Sequence, residues 1–258
     1  MVLTKTKLVV IGLLLLAGAA FGLKRVYYPP VADDWFRLDY DHFQHAPAGV
    51  LILRPTHFND PQRSGCLMVS SSPAPGQYLP RLLGRNVTLD EVIATAYQCP
   101  VSRVLLASGA STNHFDFLVT VRDRPVERMQ AAVKRQLGYT ASQQEHETEV
   151  LQLKVQIPNA PGLRASPAGN PGVEFKFGRL NFTHQPVNRL PALLERALRR
   201  PVEDKTGLTG DYDYSLVWSW RQWRPPDEAA LRNSLREMGL TLESDRDTLS
   251  MMVVENVK

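Results

Sequence analysis

The stretch Pro201–Trp218, PVEDKTGLTGDYDYSLVW, gathers Glu203, Asp204, Asp211 and Asp213 beside Lys205 within eighteen positions. Two carboxylates spaced two apart on a strand can divide general acid and base work or hold a hard cation. Neither chemistry finds its remaining parts here, because calcium-loop spacing is missing and Glu203, Asp204 and Lys205 also suit a solvated turn. Gly207 and Gly210 bracket that turn, where glycine supplies backbone angles other residues resist. Beyond them Tyr212, Tyr214, Leu216 and Trp218 alternate with Asp211, Asp213, Ser215 and Val217. Period two predicts a strand with its rings packed inward and its acids toward water or a basic neighbour. The stretch therefore reads as turn and strand, and no catalytic residue is assigned to it.

Binding chemistry is concentrated just downstream. In WSWRQWR, Trp218, Trp220 and Trp223 lie beside Arg221, an arrangement able to stack on a sugar ring or a partner protein. The histidines are scattered: only His42 and His45 sit three apart, and a metal site needs three or four converging ligands, so neither metal nor cofactor is expected. G-x-S-x-G, a Walker loop, H-E-x-x-H and C-x-x-C are all absent. Ser108 and Ser111 in ASGAS lack the flanks that would expose a nucleophile.

The elements that must position these residues follow from periodicity. GVLILR predicts a strand near 49–54, and no clear period marks the rest of 26–80. NVTLDEVIATAYQ carries a capping box, Thr88 with Glu91, ahead of an apolar stripe at Leu89, Val92, Ile93 and Ala96. Strands at 103–107 and 115–121 follow, then a helix capped by Asp123, with Pro125 in its first turn and Gly138 as its stop. A strand pair, 139–145 and 149–156, completes this part. Residues 158–172, with seven prolines and glycines, read as a linker. Thereafter come a hairpin across Gly178, a helix at 188–200 with Leu190, Leu193, Leu194 and Ala197 inward, the YDYSLVW strand, a helix ended by Gly239, and strands at 240–244 and 248–255.

Laid side by side, FDFLVTV matches YDYSLVW, and GYTASQQEHETEVLQLKV runs in step with GLTLESDRDTLSMMVVEN at a constant offset. The expected fold is thus α+β, built of two similar small units. Each packs two helices on a short, mostly antiparallel sheet in the order helix, strand, helix, hairpin. Residues 1–25 stand apart; 26–157 form the first unit with an irregular N-terminal extension, 158–172 the linker and 173–258 the second unit.

The run Val202–Trp218 with LREMGLTLESDRDTLSMMVVENV after it, and NVTLDEVIATAYQ and FDFLVTV…ERMQAAVKRQLG before it, resembles an uncharacterised exported domain family. That family was described from large paralogue sets in Solibacter and its soil-bacterial relatives. The resemblance covers roughly residues 84–257 and is most specific at T-G-L-x-G-x-Y-D-Y, Thr206–Tyr214. It implies an exported protein, in some members joined to membrane sensor peptidases, and transfers no catalytic residue. Residues 26–83, with Cys66, fall outside it.

Composition narrows the setting. The chain has 258 residues, 43% hydrophobic, with 30 basic against 26 acidic side chains. Discounting Lys5 and Lys7 leaves 28 against 26, and without a dense basic block no nucleic-acid partner is expected. Those two lysines precede an uncharged apolar run, Leu8–Leu23, with Ala17 and Ala19 in an A-x-A pattern, followed by Lys24 and Arg25. This is the layout of a signal peptide, or of an anchor in the inner membrane if it is retained. In such an oxidising setting Cys66 and Cys99 are a candidate disulfide. The expected role is a non-enzymatic binding module in the periplasm or cell envelope, with an envelope protein or cell-surface ligand as partner. The competing class is a hydrolase using Asp204, Asp211 or Asp213 where the two units meet.

Overall fold

A computed structural model of the chain describes residues 33–60, 63–74, 77–166, 168–218 and 228–257. Residues Met1–Trp35 form one unit and Phe36–Lys258 the other, and every sheet belongs to the second. The fold is α+β. Its strands are β1 Leu51–Pro55, β2 Gly65–Ala74, β3 Gln77–Val87, β4 Val104–Leu105, β5 Phe115–Val119, β6 Tyr139–Val155, β7 Leu163–Ala165, β8 Gly172–Lys176, β9 Arg179–Pro186, β10 Val202–Asp204, β11 Asp211–Val217 and β12 Leu240–Asn256. The α-helices among the described residues are α1 Tyr40–Gln44, α2 Leu89–Tyr97, α3 Pro125–Ala132, α4 Leu190–Leu198 and α5 Glu228–Glu237.

Three four-stranded sheets result. The first is ordered β1-β5-β3-β2 and the third β7-β11-β9-β8, and all their pairings are antiparallel. Between them lies the order β10-β6-β12-β4, in which short β10 and β4 join the edges in parallel. All five residues of β5 are buried, as a central strand covered on both faces requires, and this explains its unbroken FDFLV run.

Local signals act where they are expected. The Thr88 N–H donates to Glu91 Oε2 at 2.9 Å, so the capping box closes the start of α2. Helix α3 runs on through a π-helical turn, Val133–Leu137, and stops at Gly138, whose φ is 76°. Its N-cap is Arg124 rather than the expected Asp123. The hairpin across Gly178 forms between β8 and β9, with Lys176 paired to Arg179.

Four sequence expectations are corrected. The strand pairs expected at 139–156 and 240–255 are instead single strands, β6 and β12, which pair with each other through all seventeen residues, from Tyr139↔Asn256 to Val155↔Leu240. The polar stretch between their apolar ends has no Gly, Pro or Asn-Gly to turn the chain. Its charges serve across the ribbon instead: Arg246 Nε donates to Glu147 Oε1 at 2.9 Å and Lys154 Nζ to Glu243 Oε2 at 2.8 Å. Next, the N-terminal extension is not irregular, since β1, β2 and the first part of β3 lie in it. The strand expected near 49–54 is β1, whereas prolines hid β2 and β3. Pro73 sits in edge strand β2, while Pro80 pairs with Ser70 at a level β5 does not reach, so neither breaks an inner ladder. The linker at 158–172 contributes strand β7, paired with Tyr212–Tyr214 of β11, so its prolines and glycines shape turns around a strand. Lastly, the strand expected at 103–107 is reduced to Val104–Leu105.

Two cores form. The first joins Leu53, Leu82 and Val87 to Ile93 of α2, Met129 of α3, Phe115 and Phe117 of β5, and Tyr139 and Val254 from the ribbon. The second joins Leu190 and Leu194 of α4, Leu231 and Leu235 of α5, and Tyr214 and Leu216 of β11 to Leu151, Leu153, Leu240 and Leu242. Each ribbon strand thus buries one end in each core. With roughly 1.5–3 kcal/mol for each fully buried leucine or phenylalanine, the ribbon ties the cores together.

Candidate functional site

The acid-rich stretch forms a turn and a strand. Gly207 and Gly210 take φ of 64° and 89°, the left-handed region that a side chain would resist. Asp204 Oδ1 accepts from the Thr206 N–H at 2.9 Å and its hydroxyl at 2.7 Å, closing the turn locally. Glu203 pairs with Arg103 at 3.2 Å and Lys205 with Asp247 at 3.3 Å. On β11, Tyr214 and Leu216 are buried, while Tyr212 and Trp218 pack partly exposed on the same core.

Asp211 and Asp213 take the other face, half-buried on an open sheet rather than enclosed together. Asp213 Oδ1 accepts the His184 backbone N–H at 2.8 Å, where β9 bulges and His184 adopts a φ of 50°. That N–H first, and the Ser166 hydroxyl second, hold the Asp213 carboxyl below its ordinary value. The His184 ring spans the same corner, with Nδ1 at 2.8 Å from the Ser166 carbonyl and Nε2 at 3.2 Å from Asp211 Oδ2. These acids shape a β-bulge.

Of the tryptophan cluster, Trp218 donates its backbone N–H to the Gly178 carbonyl at 2.8 Å. Trp220, Arg221 and Trp223 lie outside the described residues.

The disulfide is corrected: Cys66 and Cys99 are both free thiols. Cys66 packs on the first core with its sulfur at 3.9 Å from the Thr95 hydroxyl of α2, whereas Cys99 lies beyond the left-handed residue Gln98 that ends this helix. Burial pushes the Cys66 thiol up from 9.0 to about 12 and, again by burial, the Tyr214 phenol up from 10.0 to about 12. The folded state keeps both protonated where the unfolded chain ionises. Their contribution is therefore whole below pH 9 and lost as pH rises toward 12. Thermal melts between pH 8 and pH 11 are expected to fall more steeply for the native chain than for a Cys66→Ala/Tyr214→Phe variant. Parallel slopes would contradict this.

A second corner, unforeseen from sequence, has the same construction. Asp116 of β5 is wholly buried. Its Oδ1 accepts the Thr56 hydroxyl at 2.7 Å and the Asn86 N–H at 3.0 Å, and Oδ2 faces Arg54 Nε at 3.5 Å. Asn86 has a φ of 51° and sits where β3 bulges against β5. Backbone bonds match as well: Thr56 N–H donates to the His114 carbonyl at 2.9 Å, and Ser166 N–H to the Asp211 carbonyl at 2.8 Å. The signal lies in FDF beside YDY and in Arg54-Pro-Thr56 beside Arg164-Ala-Ser166.

Over the Asp116 corner opens a cleft of about 580 Å³. Hydroxyl and carboxamide side chains line it, Thr56, Asn59, Ser64, Asn86, Thr112 and Asn113, together with Phe58 and His114. The Arg85 guanidinium lies over the Phe58 ring at 4.0 Å. Such a lining can give and take hydrogen bonds with a neutral ligand and has no paired carboxylates for acid and base work. Among the described residues, no three His, Cys, Asp or Glu side chains group to hold a metal ion, and no helix is long and apolar enough to cross a membrane.

The family described as Protein of unknown function (DUF3738) matches residues 90–257. The chain belongs to that family. Comparison with curated proteins and with solved structures gave no match. The DUF3738 segment begins inside α2, so β5 lies within it while its partners β1 and β3 lie before it. The cleft likewise draws Thr112, Asn113 and His114 from the DUF3738 segment and its other lining residues from the preceding chain.

Proposed function

We propose that the chain is a non-enzymatic binding module of the cell envelope, made of two similar units. The observation that carries this reading is the duplicated use of Asp116 and Asp213, each spent on holding a bulge and a hydroxyl in place. Strand orders β1-β5-β3-β2 and β7-β11-β9-β8 support the duplication. So do reciprocal ion pairs: Arg103, after α2, reaches Glu195 of α4 at 2.8 Å, and Arg199, after α4, reaches Glu91 of α2 at 2.9 Å. Export, as in the Solibacter-type proteins the chain resembles, accords with Lys5, Lys7 and the apolar run Leu8–Leu23, either cleaved or kept as an anchor. An envelope protein or cell-surface ligand would then be the partner.

The hydrolase reading would use Asp204, Asp211 or Asp213, and the nearest support for it is that Ser166 and His184 meet Asp211 and Asp213 at one corner. Yet it is the Ser166 carbonyl that faces the imidazole, while its hydroxyl goes to Asp213, so no hydroxyl is poised for activation by a base. Purified residues 26–258 are expected to retain a ligand from envelope extract and to turn over no ester, glycoside or peptide substrate. Hydrolysis abolished by Asp211→Asn or His184→Gln would overturn this reading.

A further inference from the structure

We infer that the cleft over Asp116 binds a neutral oligosaccharide, an inference that rests on the reading of the chain as a binding module. At about 580 Å³ it falls in the range of roughly 300–1,000 Å³ that small-molecule sites occupy. Its lining selects the ligand by chemistry. Thr112 bears a hydroxyl and Asn59, Asn86 and Asn113 bear carboxamides, groups that both donate and accept, as a sugar hydroxyl does, while the Thr56 hydroxyl gives its proton to Asp116. Among the described residues no Asp, Glu, Lys or Arg is in its lining, and the cations just behind it are engaged, Arg54 facing Asp116 at 3.5 Å and Arg85 over the Phe58 ring at 4.0 Å, so a phosphate or a cation would find no dedicated counter-charge. A purely apolar ligand would strand the amides. The Phe58 ring adds the apolar surface that the carbon face of a pyranose requires.

The site is built before a ligand arrives. The Thr56 hydroxyl donates to Asp116 and accepts the Phe58 N–H at 3.1 Å, which fixes the start of the loop that carries Phe58. Arg85 over the ring fixes the aromatic itself. On the facing side the Asn113 N–H donates to Ser111 Oγ at 3.2 Å, ordering the 111–113 loop. Polar groups held in this way lose little freedom on binding.

The opening is a property of this corner and not of the bulge. At the corresponding place beside β9, the chain after β7 folds back over His184, so that a side chain on Gly169 would meet the His184 Cβ at 3.8 Å. A peptide is the weaker fit, because strand addition along edge strand β1 lacks a donor at the cleft, where Pro55 has no N–H.

The test is titration of residues 26–258, by calorimetry and by amide chemical shifts, with chitohexaose, cellohexaose, an acidic galacturonate hexamer and a set of unstructured peptides. Saturable binding of a neutral sugar is expected, with shifts at Phe58 and Thr112–His114. Asn59→Ala and Asn113→Ala, both at exposed side chains, should each weaken it about tenfold with melting temperature unchanged. Phe177→Ser, on the β8–β9 turn, should leave it intact. Shift mapping on the native chain keeps the test independent of any variant. Binding only of the acidic sugar or of peptides would overturn the ligand class and leave the module reading standing. Absence of all binding, or neutral-sugar binding with no shift at the cleft, would overturn the inference. Cleavage of the sugar would overturn the module reading itself.

Discussion

Residues 90–257, expressed alone, are expected to show no cooperative thermal transition, whereas residues 36–257 melt in a single step. The shorter piece is the family-matched segment, and it carries β5 without the strands on either side of it. Deleting β1, β2 and β3 exposes both flanks of a strand whose five residues are all buried. It also removes Phe36, Phe43, Leu53, Leu82, Leu83 and Val87 from the interior. At roughly 1.5–3 kcal/mol per side chain, six such losses match or exceed a whole domain's margin of about 5–15 kcal/mol. The bared β5 would further present a hydrophobic strand with unpaired backbone, an aggregation site. Circular dichroism melts of the two pieces decide the matter; a cooperative transition of the shorter one near that of the longer would show that the first sheet is dispensable.

Asp116→Ala is expected to cost about 3–5 kcal/mol in denaturant melts, because it takes the wholly buried carboxylate from a half-buried Arg54 and leaves the Asn86 N–H and Thr56 hydroxyl without an acceptor. Asp116→Asn keeps an acceptor oxygen in place and should recover part of the loss. Asp213→Ala should lower the melting temperature in the same direction but by less, since its corner faces solvent. A loss below about 1 kcal/mol for Asp116→Ala would mean that the bulge at Asn86 holds without the carboxylate, and the shared construction of the two corners would lose its meaning.

What could be read from sequence was local. The Thr88–Glu91 box, the Gly138 stop, the Leu190–Leu194 stripe of α4 and the alternation of β11 each depend on residues within a turn or two of one another. What escaped was set at a distance. Nothing near Glu147 announces that it belongs in mid-strand, because the partners that keep it there, Thr248 and Arg246, lie a hundred residues on. Leu163–Ala165 looked like linker because three residues between prolines and glycines carry no period, and only β11 makes them a strand. Of the candidate site, the Asp213 corner was half visible through its strand pattern. The cleft was invisible, since Thr56 just after β1, Asn86 in the β3 bulge and Asn113 just before β5 come together beside a carboxylate that no spacing rule links to them.

The crossed ribbon also dictates when the molecule can be finished. Val254 belongs to the N-terminal core, and Tyr139 cannot gain its partner Asn256 until β12, far along the chain, has been made. Neither core can therefore mature before β12 has been made. Contacts of such long sequence separation close slowly. The chain remains threadable until β12 is delivered, and only then locks.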